Sequence, residues 1–184
     1  NADGRDDHVT QHGPFPLMEK PVIGAVNGPA ITGGFELALN CDFLVASERA
    51  LFGDTHTRVG VMPGWGLTVL LSQAIGVRRA REMSFTGNFL DAHEAFQWGL
   101  VNHVVKHEEL LPFTRGLAAD LIGNDQRGVR QIRKTYDAVT SGTVGDGWDI
   151  ERRDSRDWQR TAGFDPAEVE RRRLAIVERG RSQT

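Results

Sequence analysis

The sequence predicts an α/β core followed by a helical C-terminal region. Its 184 residues suffice for one ordinary domain with an appendage. From Pro21 to about Val105, short β-type runs alternate with helical stretches, which is typical of α/β organisation. From about His107 onward the β-type runs stop and helical segments follow. We therefore divide the chain into a flexible N-terminal segment over 1–20, an α/β core over 21–105 and a helical region over 106–184.

Local patterns define the elements of the core. The opening stretch is polar, carries glycine and proline, and indicates no strand. Asn27-Gly28-Pro29 is a strong turn signal, and Gly33-Gly34 opens an apolar helical segment that continues from Phe35 to Asn40. Strands are predicted over the apolar runs Val22 to Val26, Phe43 to Ala46 and Val101 to Val105.

Helical segments are predicted throughout the C-terminal region. Asp165 suits the N-cap of the last segment, and Pro166 suits its first helical position. The many arginines of that segment are typical of a solvated helix face, and a contact with a neighbouring subunit or an anionic ligand is the alternative. The four predicted helices are Glu108 to Ile122, Gly128 to Val139, Trp148 to Arg160 and Pro166 to Arg179.

Composition narrows the classes of function. The chain carries 22 Lys and Arg against 25 Asp and Glu, a formal net charge of −3. It therefore lacks the basic excess typical of proteins that bind nucleic acids or anionic membranes. The single cysteine, Cys41, allows no internal disulfide and suits a reducing compartment, so we expect a cytoplasmic protein. The six histidines are scattered and no apolar run approaches the roughly 18 residues of a membrane span, so we expect no metal and no membrane partner.

Glycines and one glutamate mark the candidate site. Glycine accounts for 21 of the 184 residues, about one and a half times its usual share. At a helix entrance, Gly33-Gly34 lets a ligand approach the backbone, where free N–H groups favour a negative oxygen such as that of a phosphate or an enolate. Glu36 follows among apolar residues, an environment suited to acid/base chemistry near neutral pH. A solvent-facing glutamate that interacts with the helix dipole is the alternative.

These residues belong to a longer pattern, KPVIGAVNGPAITGGFELALNCDFLVASERALFGDTHTRVGVMPGWG followed by TGNFLDAHEAFQWGLVNHVV. The pattern resembles the enoyl-CoA hydratase/isomerase (crotonase) family, closely from Lys20 to Val105 and more loosely beyond. The resemblance implies the ClpP/crotonase fold, a spiral of ββα units with a helical C-terminal region. It also implies an acyl-CoA substrate without a separate cofactor, and trimers commonly paired into hexamers.

The resemblance assigns roles to individual residues. Gly33 matches one of two backbone donors that hold the thioester oxygen, and Glu36 matches the first of the two glutamates that transfer protons. The second donor normally lies in an upstream loop that this sequence does not contain, so we expect part of the site to be missing from it. His56 stands where the second glutamate is expected, and a protonated imidazole can serve as the acid. A surface or hydrogen-bonded histidine in a loop, without a role in the chemistry, is the alternative. The implied substrate contacts are Ala30, Ile31, Asp54, Met62, Pro63 and Trp65.

The leading hypothesis is an enoyl-CoA hydratase-like enzyme. In it, Gly33 binds the thioester oxygen, Glu36 activates the water, and His56 or Glu36 returns a proton to the α-carbon. Asp54, two residues before His56, is a second candidate carboxylate. Trp65 stands where the family often has a small residue, and either it narrows the acyl pocket or it is an aromatic side chain packed within its loop. Because His56 departs from the family pattern, two alternatives stay open. One is another reaction through the same enolate, either double-bond isomerisation or C–C bond cleavage, and the other is an acyl-CoA-binding protein without catalysis.

Overall fold

The computed structural model describes residues 13–140, together with 142, 150, 153, 156–158, 160, 161, 167, 170 and 171. The chain forms two compact units, Asn1–Gln131 and Ile132–Thr184. The first unit contains both sheets and the candidate site. Residues 1–12 of the N-terminal segment predicted over 1–20 lie outside the described residues. Most of the helices predicted over 148–160 and 166–179 also lie outside them, including the cap at Asp165.

Three parallel strands form the first sheet, in the order β1-β3-β6. Ile23 pairs with Phe43, and Val45 pairs with His103. Branched and aromatic side chains fill these strands, which is why their sequences predict them. The three predicted strands are confirmed with ends that differ by one or two residues: β1 is Ile23–Val26, β3 is Phe43–Ser47 and β6 is His103–Val105.

The second sheet consists of three-residue strands that the sequence did not predict. β2 (Pro29–Ile31) runs parallel to β4 (Leu51–Gly53), and β4 runs antiparallel to β5 (Phe89–Asp91). Segments this short contain too little alternation of apolar and polar residues to detect. β1 and β3 enter the first sheet, whereas β2 and β4, which directly follow them, enter the second. The chain thereby winds through both sheets as ββα units.

Seven α-helices lie within residues 33–140. They are α1 (Gly33–Leu39), α2 (His56–Val59), α3 (Leu67–Ile75), α4 (Val77–Thr86), α5 (Ala92–Trp98), α6 (Leu110–Ile122) and α7 (Gln126–Thr140). A single 3₁₀ turn, His107–Glu109, precedes α6. α1, α6 and α7 confirm the helices predicted there. No helix in the described part of the chain combines the length and apolar character needed to cross a membrane.

The hydrophobic core joins the elements that carry the site. Phe35 of α1 and Phe52 of β4 are fully buried, and their ring centroids lie 5.7 Å apart. α3 contributes Leu67, Leu71 and Ile75, which are spaced four residues apart and therefore share one buried helix face. α3 packs against α1 and α4. The core thus fixes α1, the end of β4 and the start of α3 next to one another.

Candidate active site

Glu36 lies in the first turn of α1 and is only 4% exposed. Its Oε1 accepts two backbone hydrogen bonds, from the N–H of Gly64 at 3.1 Å and from that of Trp65 at 2.7 Å. These two donors hold the carboxylate in one orientation and leave Oε2 for other contacts. The alternative of a solvent-facing glutamate is wrong, because the loop between α2 and α3 covers this side chain.

Asn40 ties that loop to α1. Its side-chain amide donates to the backbone oxygen of Glu36 and to that of Trp65, each at 2.8 Å. Gly66 has a φ of +95°, a left-handed conformation that glycine adopts without strain, and it lets the chain turn from the loop into α3. The sequence analysis missed Asn40, although its place four residues after Glu36 puts both on one helix face.

His56 lies within reach of Glu36. It is the first residue of α2 rather than part of a loop, and it is 4% exposed. On one side, its Nδ1 lies 2.6 Å from Oδ1 of Asp54, a residue that is 2% exposed. On the other side, its Nε2 lies 3.6 Å from Oε2 of Glu36. Asp54, His56 and Glu36 therefore form a buried row of carboxylate, imidazole and carboxylate.

The contact between His56 and Glu36 suits the transfer of protons. A separation of 3.6 Å is too long for a direct hydrogen bond, but both atoms can lie within about 2.8 Å of the same water molecule. Oε2 of an ionised Glu36 accepts protons, whereas Nε2 of His56 can hold or release one. The two side chains together can take a proton from water and supply one to a neighbouring atom.

Gly33 and the side chain of Trp65 border the same site. Gly33 is the first residue of α1, where backbone N–H groups have no partner within the helix. A Cβ atom added at Gly33 would lie 3.7 Å from Cζ3 of Trp65, so the indole ring lies next to this backbone. Trp65 is 46% exposed. Its ring is therefore a wall at the helix entrance that a ligand can contact.

Two threonines that the sequence analysis missed connect the segments leading into Gly33 and His56. Thr32 hydrogen-bonds through its hydroxyl to the hydroxyl of Thr55, and its N–H donates to the backbone oxygen of Gly53 at 2.9 Å. Among the described residues, Thr32 is the only non-glycine with a positive φ, at 53°. Strained backbone of this kind often occurs at functional sites. Nothing in the sequence signals it, because threonine ordinarily avoids this conformation.

The family model for enoyl-CoA hydratase/isomerase matches residues 15–173. The chain belongs to the enoyl-CoA hydratase/isomerase family. A crystal structure of an enoyl-CoA hydratase from Mycobacterium smegmatis is 50% identical, with a TM-score of 0.67 over 81% of this chain and 68% of that chain. The predicted crotonase-like α/β fold is confirmed.

Two curated relatives extend the family assignment. A probable peroxisomal enoyl-CoA hydratase 1 from Arabidopsis thaliana is 52% identical over 116 residues, which are 63% of this chain and 44% of the relative. A crotonyl-CoA hydratase from Syntrophomonas wolfei is 45% identical over 113 residues, which are 61% of this chain and 44% of the relative. The chain spans about half the length of the curated relatives it matches.

The other substrate contacts implied by the family resemblance lie in two places. Met62 and Pro63 share the α2–α3 loop with Trp65, and Met62 is 82% exposed. Ala30 and Ile31 belong to β2, where the side chain of Ala30 is buried in the core and leaves only its backbone for a ligand. Among the described residues, no group of three or more His, Cys, Asp and Glu side chains is arranged to hold a metal ion.

Proposed function

We propose that this protein adds water across the 2,3-double bond of an acyl-CoA thioester to give a 3-hydroxyacyl-CoA. The observation that carries the proposal is the buried pair of Glu36 Oε2 and His56 Nε2, 3.6 Å apart, beside the helix entrance at Gly33. Membership of the family supports an acyl-CoA substrate, and the names of the relatives support hydration.

The first step forms the bond to oxygen. Glu36 takes a proton from water through Oε2, because its Oε1 is already engaged by two backbone donors. The water oxygen then bonds to C3 of the substrate, and the electrons of the double bond move to the thioester oxygen. The N–H of Gly33 donates to the resulting enolate, and one such donor contributes about 3 kcal/mol of transition-state stabilisation.

The second step returns a proton to carbon. Protonated His56 donates from Nε2 to C2, and the enolate reverts to the thioester. Glu36 now carries the proton from water, and transfer of that proton to Nε2 restores both side chains. The alternative is that Glu36 itself delivers the proton to C2, in which case His56 does not change its charge.

Hydration of crotonyl-CoA by the full chain tests the proposal. Hydration removes the conjugation of the enoyl thioester, so we expect its ultraviolet absorbance to fall and 3-hydroxybutyryl-CoA to accumulate. Isomerisation or carbon–carbon cleavage of other acyl-CoA classes, without hydration, would favour the first alternative. Calorimetry that reports CoA-thioester binding without turnover of any acyl-CoA would favour a binding protein. Either result would overturn the hydratase proposal.

We further propose that Trp65 limits the length of the acyl chain. Its ring lies beside Gly33, and Trp65→Ala removes the ring while leaving the backbone N–H that Glu36 needs. We expect the ratio of kcat/KM for a long-chain enoyl-CoA to that for crotonyl-CoA to rise about 10-fold, within the range that a small change in an apolar pocket produces. Phe96→Ala, at an exposed aromatic residue of α5, is the matched control. An unchanged ratio in Trp65→Ala would refute this role.

We also propose that the chain assembles into a homotrimer, or into a hexamer of paired trimers. We propose further that it needs no separate cofactor and acts in the cytoplasm. Clustered apolar side chains at a surface commonly mark contacts between proteins. Light scattering should report a mass three or six times that of the chain, and a stable monomer would contradict this expectation. Four exposed apolar residues support this assembly. They lie in α2, in α3 and in the loop between these helices, and they are Val59, Val61, Met62 and Val69.

A further inference from the structure

We infer that Asp54 is a positioning residue that keeps a proton on Nδ1 of His56 and thereby presents Nε2 to Glu36. This inference rests on the proposed function and deepens it. It also gives Asp54 a role other than the substrate contact implied by the family resemblance. The reasons lie in its burial, in the atoms it contacts and in the direction that the imidazole faces.

The carboxylate of Asp54 is committed to His56. Its Oδ1 lies 2.6 Å from Nδ1 of the ring and accepts the backbone N–H of the same residue at 3.1 Å. Asp54 is 2% exposed, so bulk water has little access to replace it. One oxygen thus holds both the backbone and the ring of His56. The two contacts fix the position of the residue and the orientation of its imidazole together.

The same contact determines which nitrogen can exchange protons. An ionised carboxylate only accepts hydrogen bonds, so the short contact to Oδ1 requires the proton on Nδ1. Nε2 is then the only ring nitrogen free to gain and lose a proton, and it is the atom that lies 3.6 Å from Oε2 of Glu36. Without Asp54, the neutral ring can place its proton on Nε2 instead, and His56 then lacks an acceptor facing Glu36.

A double-mutant cycle tests this role. Asp54→Asn keeps the size of the side chain but can present an N–H to Nδ1, which favours the other tautomer. We expect kcat for crotonyl-CoA to fall about 100-fold with KM nearly unchanged, within the range for acid/base groups. In a His56→Gln background, the same substitution should have no further effect, because Asp54 acts through His56. An equal loss in both backgrounds would overturn the inference.

Asp91→Asn is the matched control for that cycle. Asp91 also accepts a backbone hydrogen bond, from the N–H of Glu94 at 2.8 Å, but it caps α5 and is exposed. Asparagine is an equally good cap, so we expect wild-type kcat and KM from this variant. A similar loss in Asp91→Asn would mean that the assay detects general damage to the fold, and the cycle would then count against a specific role for Asp54.

Nitrogen-15 NMR of the His56 ring provides a readout that needs no substrate. We expect a protonated Nδ1 in the wild-type protein and a changed pattern in Asp54→Asn, with His56→Gln used to assign the signals. A wild-type ring protonated only on Nε2, or an unchanged pattern in the variant, would contradict the inference. If Asp54→Asn does not fold, the wild-type spectrum alone tests the inference, because it shows whether Nδ1 of His56 carries the proton. A protein without hydratase activity that shows the expected spectrum would refute the proposed function and leave the role of Asp54 intact.

Discussion

Glu36→Gln is expected to lower kcat for the hydration of crotonyl-CoA by about 10⁴-fold, the upper end of the range for general acid–base catalysis. The effect is large because, in the proposed cycle, Glu36 takes the proton from water and then passes that proton to His56. Glutamine has the same shape, and its amide oxygen can still accept the N–H groups of Gly64 and Trp65. What the substitution removes is the proton acceptor at the Oε2 position. Steady-state kinetics should therefore show a loss in kcat with little change in KM.

Glu94→Gln is the matched control for this prediction. Glu94 occupies the first turn of α5, as Glu36 occupies the first turn of α1, but Glu94 is exposed. We expect its substitution to leave kcat and KM at wild-type values. Full turnover by Glu36→Gln would remove Glu36 from the mechanism, whatever the behaviour of Glu94→Gln.

The sequence predicts the parts of the site that depend on neighbouring residues along the chain. The glycines at the start of α1 and Glu36 in its first turn form a local pattern, and the helix begins at Gly33 as predicted. The position of His56 relative to Glu36 came from the family resemblance, because no local pattern pairs a histidine with a glutamate twenty residues earlier. The contact itself depends on how Phe35 of α1 packs against Phe52 of β4 in the folded unit.

Contacts between distant segments explain what the sequence did not predict. Glu36 receives hydrogen bonds from Gly64 and Trp65, which follow it by 28 and 29 residues. Propensity and periodicity describe only nearby residues, so they give no information about which loop covers a carboxylate. The short strands β2 and β4 likewise form because each supplies the hydrogen-bond partners of the other.

The start of α2 had a local signal that the sequence analysis did not use. An aspartate often accepts a hydrogen bond from the backbone two residues later, which forms a turn that can begin a helix. Asp54 makes this contact with the N–H of His56, and α2 begins at that residue. The sequence Asp-Thr-His was therefore sufficient to predict a turn. It was not sufficient to predict that both side chains are buried.

Phe52→Ala is expected to lower the free energy of unfolding by about 3–5 kcal/mol, the usual cost of removing a buried phenylalanine ring. Phe52 is fully buried, and its ring packs 5.7 Å from that of Phe35. Urea denaturation followed by circular dichroism measures the change. Phe85→Ala is the control, since Phe85 is 74% exposed and its loss should change stability by no more than about 0.5 kcal/mol. A cost below about 1 kcal/mol for Phe52→Ala would contradict the packing described for the core.

The same substitution should also affect the active site, because the two rings connect its two halves. Phe35 directly precedes Glu36 in α1, and Phe52 lies two residues before Asp54 at the end of β4. The distance between Oε2 of Glu36 and Nε2 of His56 therefore depends on how these rings pack. A displacement of about 1 Å between catalytic groups can cost about 100-fold in rate. We expect folded Phe52→Ala to lose kcat, measured at a temperature where circular dichroism shows it to be native, whereas Phe85→Ala keeps wild-type turnover.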